Sequence, residues 1–236
     1  MHIDPREIAE IAAAQAAQPR LNLYAGIHKA LRAFMADTLL ALGRMDVHDD
    51  LERAQTCHQV LELLELCRSH LGHENRFVHT AMEARAPGTS ARLGGEHEAH
   101  ERDITRLAAG AMALLGAVDA GRGALAHALY TELAAFVGHN YEHMQAEETG
   151  HNAVLWAHYS DAELMDLHNA LVASIPPQET MQVMRWMIPF LSPAERAAVL
   201  SDMRAHAPAP AFAAVMDVVR QHLTPAEWGK LERALG

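Results

Sequence analysis

At 236 residues with half of the positions hydrophobic, the chain can bury a sizeable core as one large domain or as one domain with an extension. A formal net charge of −11 and a pI near 5.8, with no basic run, argue against a nucleic acid partner, because displacing counterions from a polyanion needs clustered Lys and Arg. Aromatic residues make up only 5%, Ala and Leu dominate, and β-branched runs bounded by turn residues are absent, so an all-α class is expected.

The opening residues MHIDPREIAE have neither a basic start nor a long apolar stretch, which sets a cytoplasmic location and no membrane partner as the expectation. Asp4 and Pro5 read as the N-cap and first turn of a short helix that Pro19 ends, an arm over residues 1–19. The first long helix is expected from about Leu21 to Gly43, with Leu23, Ile27, Leu31, Phe34 and Leu42 at helical spacing and His28 beside that face. The second runs from about Asp49 to Ala84 and stops at Pro87 and Gly88. It carries Cys57 and Cys67, which at about 15 Å apart along one axis are beyond disulfide reach and read as reduced packing residues. The third begins near Ser90 or Ala91 and ends around Asp119 to Gly123, and the fourth runs from about Ala124 to Tyr159.

Beyond Tyr159 the histidine density falls, and an extension over residues 160–236 is expected to form four or five short helices divided by prolines. Three capping boxes mark helix starts: Ser160 with Glu163, Ser192 with Glu195, and Thr224 with Glu227. Met181, Met184 and Met187 recur every three residues, either as a core stripe or as a docking groove for a protein partner or a second copy.

The chemistry concentrates on the long helices. The stretch HNYEHMQAEETGH, residues 139–151, places His139, His143, Glu147 and His151 at successive steps of four. On an α-helix that step rotates about 40° and climbs about 6 Å, so these groups form one stripe. The same spacing joins His70 to Glu74 and His97 to Glu101, and the first helix offers His28 alone. Four inward histidines with three carboxylates are what a four-helix bundle needs to hold two metal ions in its core. Without a cation, burying these groups unpaired would cost several kcal/mol each.

In order and spacing these motifs resemble the hemerythrin-like (HHE cation-binding) domains over roughly residues 20–158, placing an antiparallel four-helix bundle at residues 20–159. The resemblance implies that His28 and His70 bind one iron, that His97, Glu101 and His143 bind the other, and that Glu74 and Glu147 bridge them with an oxo, hydroxo or water ligand. Manganese or zinc also suits imidazole and carboxylate without thiolate. His100, three after His97, is an alternative to Glu101, while His139 and Tyr24 stand where they would orient ligands or donate to a bound small molecule. His58, His73, His79, His127, His151 and His158 are assigned to the surface or to helix ends, and Glu148 to solvent or to support of the bridge.

Respiratory hemerythrin has a histidine where Glu101 stands, and its last bridge is an aspartate five residues after the histidine. Three carboxylates and one hydroxide would leave two ferrous ions neutral, which favours the oxidised ions and therefore oxidation, peroxide reaction or sensing over reversible oxygen carriage. Three functions are consistent with this pattern: binding or sensing of oxygen, nitric oxide, peroxide or iron; an oxygen-activating or peroxide-removing oxidoreductase; and a metal-storage or structural zinc protein. No nucleotide or flavin motif is present.

Overall fold

The computed structural model describes residues 20–236, so the arm expected at residues 1–19 lies outside the described part. The described residues form helices and no strand. Helix α1 spans Ala25–Arg44 and α2 spans Asp50–His73. A π-helical turn, Glu74–His79, joins α2 to α3, Thr80–Arg85. After the turn at Gly88, which takes a positive φ of 85°, α4 runs over Ala91–Leu115 and α5 over Asp119–Ala146. A second π-helical turn, Glu147–His151, leads into α6, Asn152–His158.

Local chemistry accounts for the starts. The Asn22 side chain accepts from the backbone N–H of Tyr24 and Ala25, and Asp49 accepts from Leu51 and Glu52 at the head of α2. One boundary differs from the expectation: the segment from Asp119 to Gly123 is the first turn of α5, and the chain turns earlier, at Gly116 to Val118. The reason is local. Val118 is extended, Asp119 supplies first-turn negative charge, and Arg122 reaches back to the Ala117 carbonyl and to Asp119.

Helices α1, α2, α4 and α5 pack in a closed ring, each against the next. Apolar residues divide into two layers along it. One contains Leu31, Phe34, Leu63, Leu107, Leu133 and Phe136, together with both cysteines, which are free. Burial raises the Cys67 thiol to about 12, so it stays protonated. The other layer, Tyr24, Val78, Met82, Leu155 and Leu164, closes the opposite end. The histidine and glutamate positions lie between the two along α1, α2 and α5.

The remaining helices are α7 (Asp161–Ser174), α8 (Pro177–Met187), a 3₁₀ turn at Ile188–Phe190, α9 (Pro193–His206), α10 (Ala209–His222) and α11 (Pro225–Leu235). All three expected capping boxes are formed, at the heads of α7, α9 and α11. This part has its own apolar cluster around Ile188, Leu200, Val219 and Leu231, and Met181, Met184 and Met187 pack against it as a core stripe. Trp186 faces the other way and stacks on Phe34 of α1, ring centroids 4.1 Å apart and planes 10° off parallel. Lys29 of α1 and Glu195 of α9 close a second contact at 2.6 Å. Among the described residues no helix is long and apolar enough to cross a membrane.

Phe34 is fully buried and touches both the ring core and Trp186. Phe34→Ala is expected to lower stability by about 3–5 kcal/mol, measured as a shift in the urea unfolding midpoint.

Candidate metal centre

Six side chains converge in the polar layer. Glu74 and Glu147, at the first residue of each π-helical turn, are 2% and 0% exposed. Around them stand His28 from α1, His70 from α2, His97 from α4 and His143 from α5. His70 is the least covered, with a side chain 11% exposed. The two carboxylates are disposed alike. Glu74 turns Oε1 toward His70 Nε2 at 3.1 Å and His28 Nε2 at 3.7 Å, and Oε2 toward His97 Nε2 at 3.5 Å. Glu147 turns Oε2 toward His28 Nε2 at 3.5 Å, and Oε1 toward His143 Nε2 at 3.3 Å and His97 Nε2 at 3.6 Å. Donors that share one ion at about 2.1 Å stand about 3–3.5 Å apart, so most of these spacings suit shared ions. Two overlapping groups result: His28, His70, Glu74 and Glu147; and Glu74, His97, His143 and Glu147.

The outer ring nitrogens explain why the inner ones face the centre. His28 Nδ1–H donates to Glu148 at 2.9 Å, His97 Nδ1–H to Asn75 Oδ1 at 2.8 Å, and His143 Nδ1–H to Glu96 at 2.9 Å. An acceptor behind the ring fixes the tautomer, leaving Nε2 as a lone pair for a cation. His97 and His143 then bring their Nε2 atoms to 2.9 Å from each other, which is repulsive unless a proton or a metal ion lies between. His28 Nε2, His70 Nε2 and all four carboxylate oxygens are buried without a hydrogen-bond partner. Such orphaned groups are costly, and cations in the two overlapping groups would relieve them. These residues therefore fit a metal ion.

The electrostatics of the metal-free protein agree. Burial pushes Glu74 up, yet His70 and His28 more than offset it and hold the carboxyl well below its usual range. Burial and the neighbouring Glu74 push Glu147 up, and His143 and His97 pull it below normal. Burial pulls His143 down, but Glu147 and Glu96 together lift it to about 9. The hydrogen bond from His28, with Arg32 beside it, holds Glu148 at about 2. With His28 and His143 both raised, positive charge beside the two carboxylates is favoured in the metal-free protein.

Glu101, expected to ligate, does not join the centre. Its side chain is 45% exposed and accepts from Arg68 at 3.2 Å. The buried face of α4 alternates steps of four and three through Leu93, His97, His100, Ile104, Leu107, Ala111 and Leu114, and Glu101 falls at its edge beside α2. His100 takes the inward position but lies a turn away, edge-on to His143 at 4.9 Å and near Phe136. Burial lowers it to about 4. His139 is exposed and, with His100 and Glu142, lines a groove of about 280 Å³ behind His143. Tyr24 is buried, its ring 5.2 Å from that of His28 and its hydroxyl 3.2 Å from His151 Nδ1. Burial, with Glu74 and Glu147 nearby, keeps it a neutral phenol.

Two histidines assigned to the surface or to helix ends are buried at the centre: His79, 7% exposed, and His151, 3% exposed. Each ends one of the π-helical turns. A π turn closes its hydrogen-bonded ring over five residues rather than four, which brings residues five apart toward one face and carries His79 back beneath Glu74. His151 did share the step-of-four stripe with Glu147, and that was the available signal. His58, His127 and His158 are exposed as expected, and His73 lies half-buried 3.6 Å from Glu179.

Two outcomes follow from this geometry. Glu101→Gln should leave bound metal unchanged, while Glu147→Gln should lower it, as read by metal analysis after desalting. In chelator, stability should peak near neutral pH. His143, raised to about 9, adds stability that is complete below about pH 6.5 and lost as pH climbs through 9. His79 and His100, both lowered to about 4, favour the fold above about pH 6.5 and withdraw that support as pH falls toward 4. Urea titrations at pH 5, 7 and 10 check both limbs.

The chain matches no family model, no curated protein and no solved structure, so the reading of this centre rests on its own residues.

Proposed function

We propose that the ring of α1, α2, α4 and α5 is a hemerythrin-like four-helix bundle that holds a pair of iron ions and uses them to bind or sense a small oxidant such as oxygen, nitric oxide or peroxide. One observation carries this reading: each buried carboxylate offers one oxygen to one set of histidines and its other oxygen to the opposite set, the disposition of two bridging ligands. His28 and His70 would hold one ion, His97 and His143 the other, with Glu74 and Glu147 between them. Nitrogen and oxygen donors without thiolate suit iron, and manganese or zinc are the competing occupants. An iron pair so held supplies redox chemistry toward these oxidants.

The chain's own residues set the terms. With Glu101 outside, two carboxylates and one hydroxide leave a diferrous pair with one net positive charge, so the neutrality expected from three carboxylates does not apply. Negative charge comes instead from Glu148 and Glu96, which polarise His28 and His143 through their Nδ1–H bonds. That favours the oxidised ions, though less directly than a third ligand carboxylate would. Access supports small ligands over a bulky substrate. The inner atoms are fully covered, apolar layers close both ends, and the groove at His100 reaches only the outer side of His143.

Metal analysis with an absorption spectrum tests this. Desalted protein is expected to hold two tightly bound iron ions and a ligand-to-metal band that bleaches on reduction and responds to nitric oxide or peroxide. Glu74→Ala should abolish both. Zinc as the native occupant, or full iron content in Glu74→Ala, would overturn the proposal.

A further inference from the structure

The centre has a third group of donors, of which the paired-ion reading uses only the carboxylate. His79, His151 and Glu147 each place a ligand atom within 4.8 Å of the others, and all three are buried. Nε2 of His79 and Nε2 of His151 have no hydrogen-bond partner. Both rings are held by packing. His79 stacks on His97 at 4.8 Å and 15°, and His151 stands edge-on to His79 at 5.2 Å and 85°. Tyr24 meets the outer nitrogen of His151 at 3.2 Å, as Glu148, Asn75 and Glu96 meet the outer nitrogens of His28, His97 and His143.

We propose that His79, His151 and Glu147 form a third position for a divalent transition-metal ion, beside the pair and weaker than it. Two imidazoles and one carboxylate are a sufficient protein ligand set for zinc, cobalt or ferrous iron, with the remaining coordination positions left to ligands that enter with the ion. Its weakness follows from charge. Glu74 and Glu147 are the carboxylates inside the layer, and a third ion shares Glu147 with the pair, so each unit of negative charge must serve more cations. The position therefore fills last and empties first. It rests on the paired-ion reading only through that shared carboxylate.

The test is a cobalt(II) titration of the metal-free full chain, with bound metal counted at each free concentration, beside anomalous diffraction from crystals soaked in excess cobalt. Three ions per chain are expected, the last in a separate weaker phase. The double variant His79→Ala with His151→Ala should lose that phase and keep two ions, while His28→Ala with His70→Ala should lose a tight ion and keep the weak phase. An anomalous peak between His79, His151 and Glu147 in the unaltered protein supports the proposal even if a variant fails to fold. Two ions in the unaltered chain with no such peak, or a third phase that survives the double His79 and His151 substitution, overturns it and leaves the pair intact. A single weak ion abolished by that double substitution would uphold the third position and sink the pair.

Discussion

The structure depends on two carboxylates placed where water cannot reach them. Glu74 and Glu147 are sealed between one apolar layer built on Phe34, Leu63 and Leu107 and another built on Tyr24, Met82 and Leu155. An isolated carboxylate in such surroundings would take up a proton or unfold its neighbourhood. Here each is ringed by imidazoles, which carry positive charge when protonated and offer a lone pair to a cation when neutral. Either way, positive charge offsets two buried negative charges in this layer.

Either role requires rings that cannot turn. The acceptors behind His28, His97 and His143 come from different helices: Glu148 beyond α5, Asn75 beyond α2, and Glu96 on α4. Each histidine is thus aimed by an element other than its own, so the orientation of the donors reports on helix packing around the ring. The helices after α6 add to this. Trp186 against Phe34, and Lys29 with Glu195, tie them to α1, the helix that carries His28.

Much of this was legible in the chain itself, because an α-helix turns four-residue spacing into a shared face. His70 with Glu74, His143 with Glu147, and the lone His28 and His97 arrive where that rule puts them. The capping boxes at Ser160, Ser192 and Thr224 were equally readable, since the cap is a contact between residues three apart. Glu101 was misjudged because the rule says which residues share a face and not which of two adjacent faces the packing buries. On α4 the alternation of fours and threes favours His100, and Arg68 on α2 supplies the partner that holds Glu101 outside. His79 was missed for a different reason: its place depends on a local widening of the helix, which α-helical spacing does not encode.

The widened turns have a structural corollary. A helix that takes on an extra residue in one turn resumes its ordinary winding out of phase with what came before, much as a crystal lattice resumes on the far side of a dislocation. The residues of α2 that face the core and those of α3 that face the Tyr24 layer therefore belong to two different stripes, as do those of α5 and α6. The boundary between stripes falls at the carboxylates in both cases. Each of these two helices is in effect two rods spliced at the polar layer, and a change at either splice rotates everything beyond it relative to the ring.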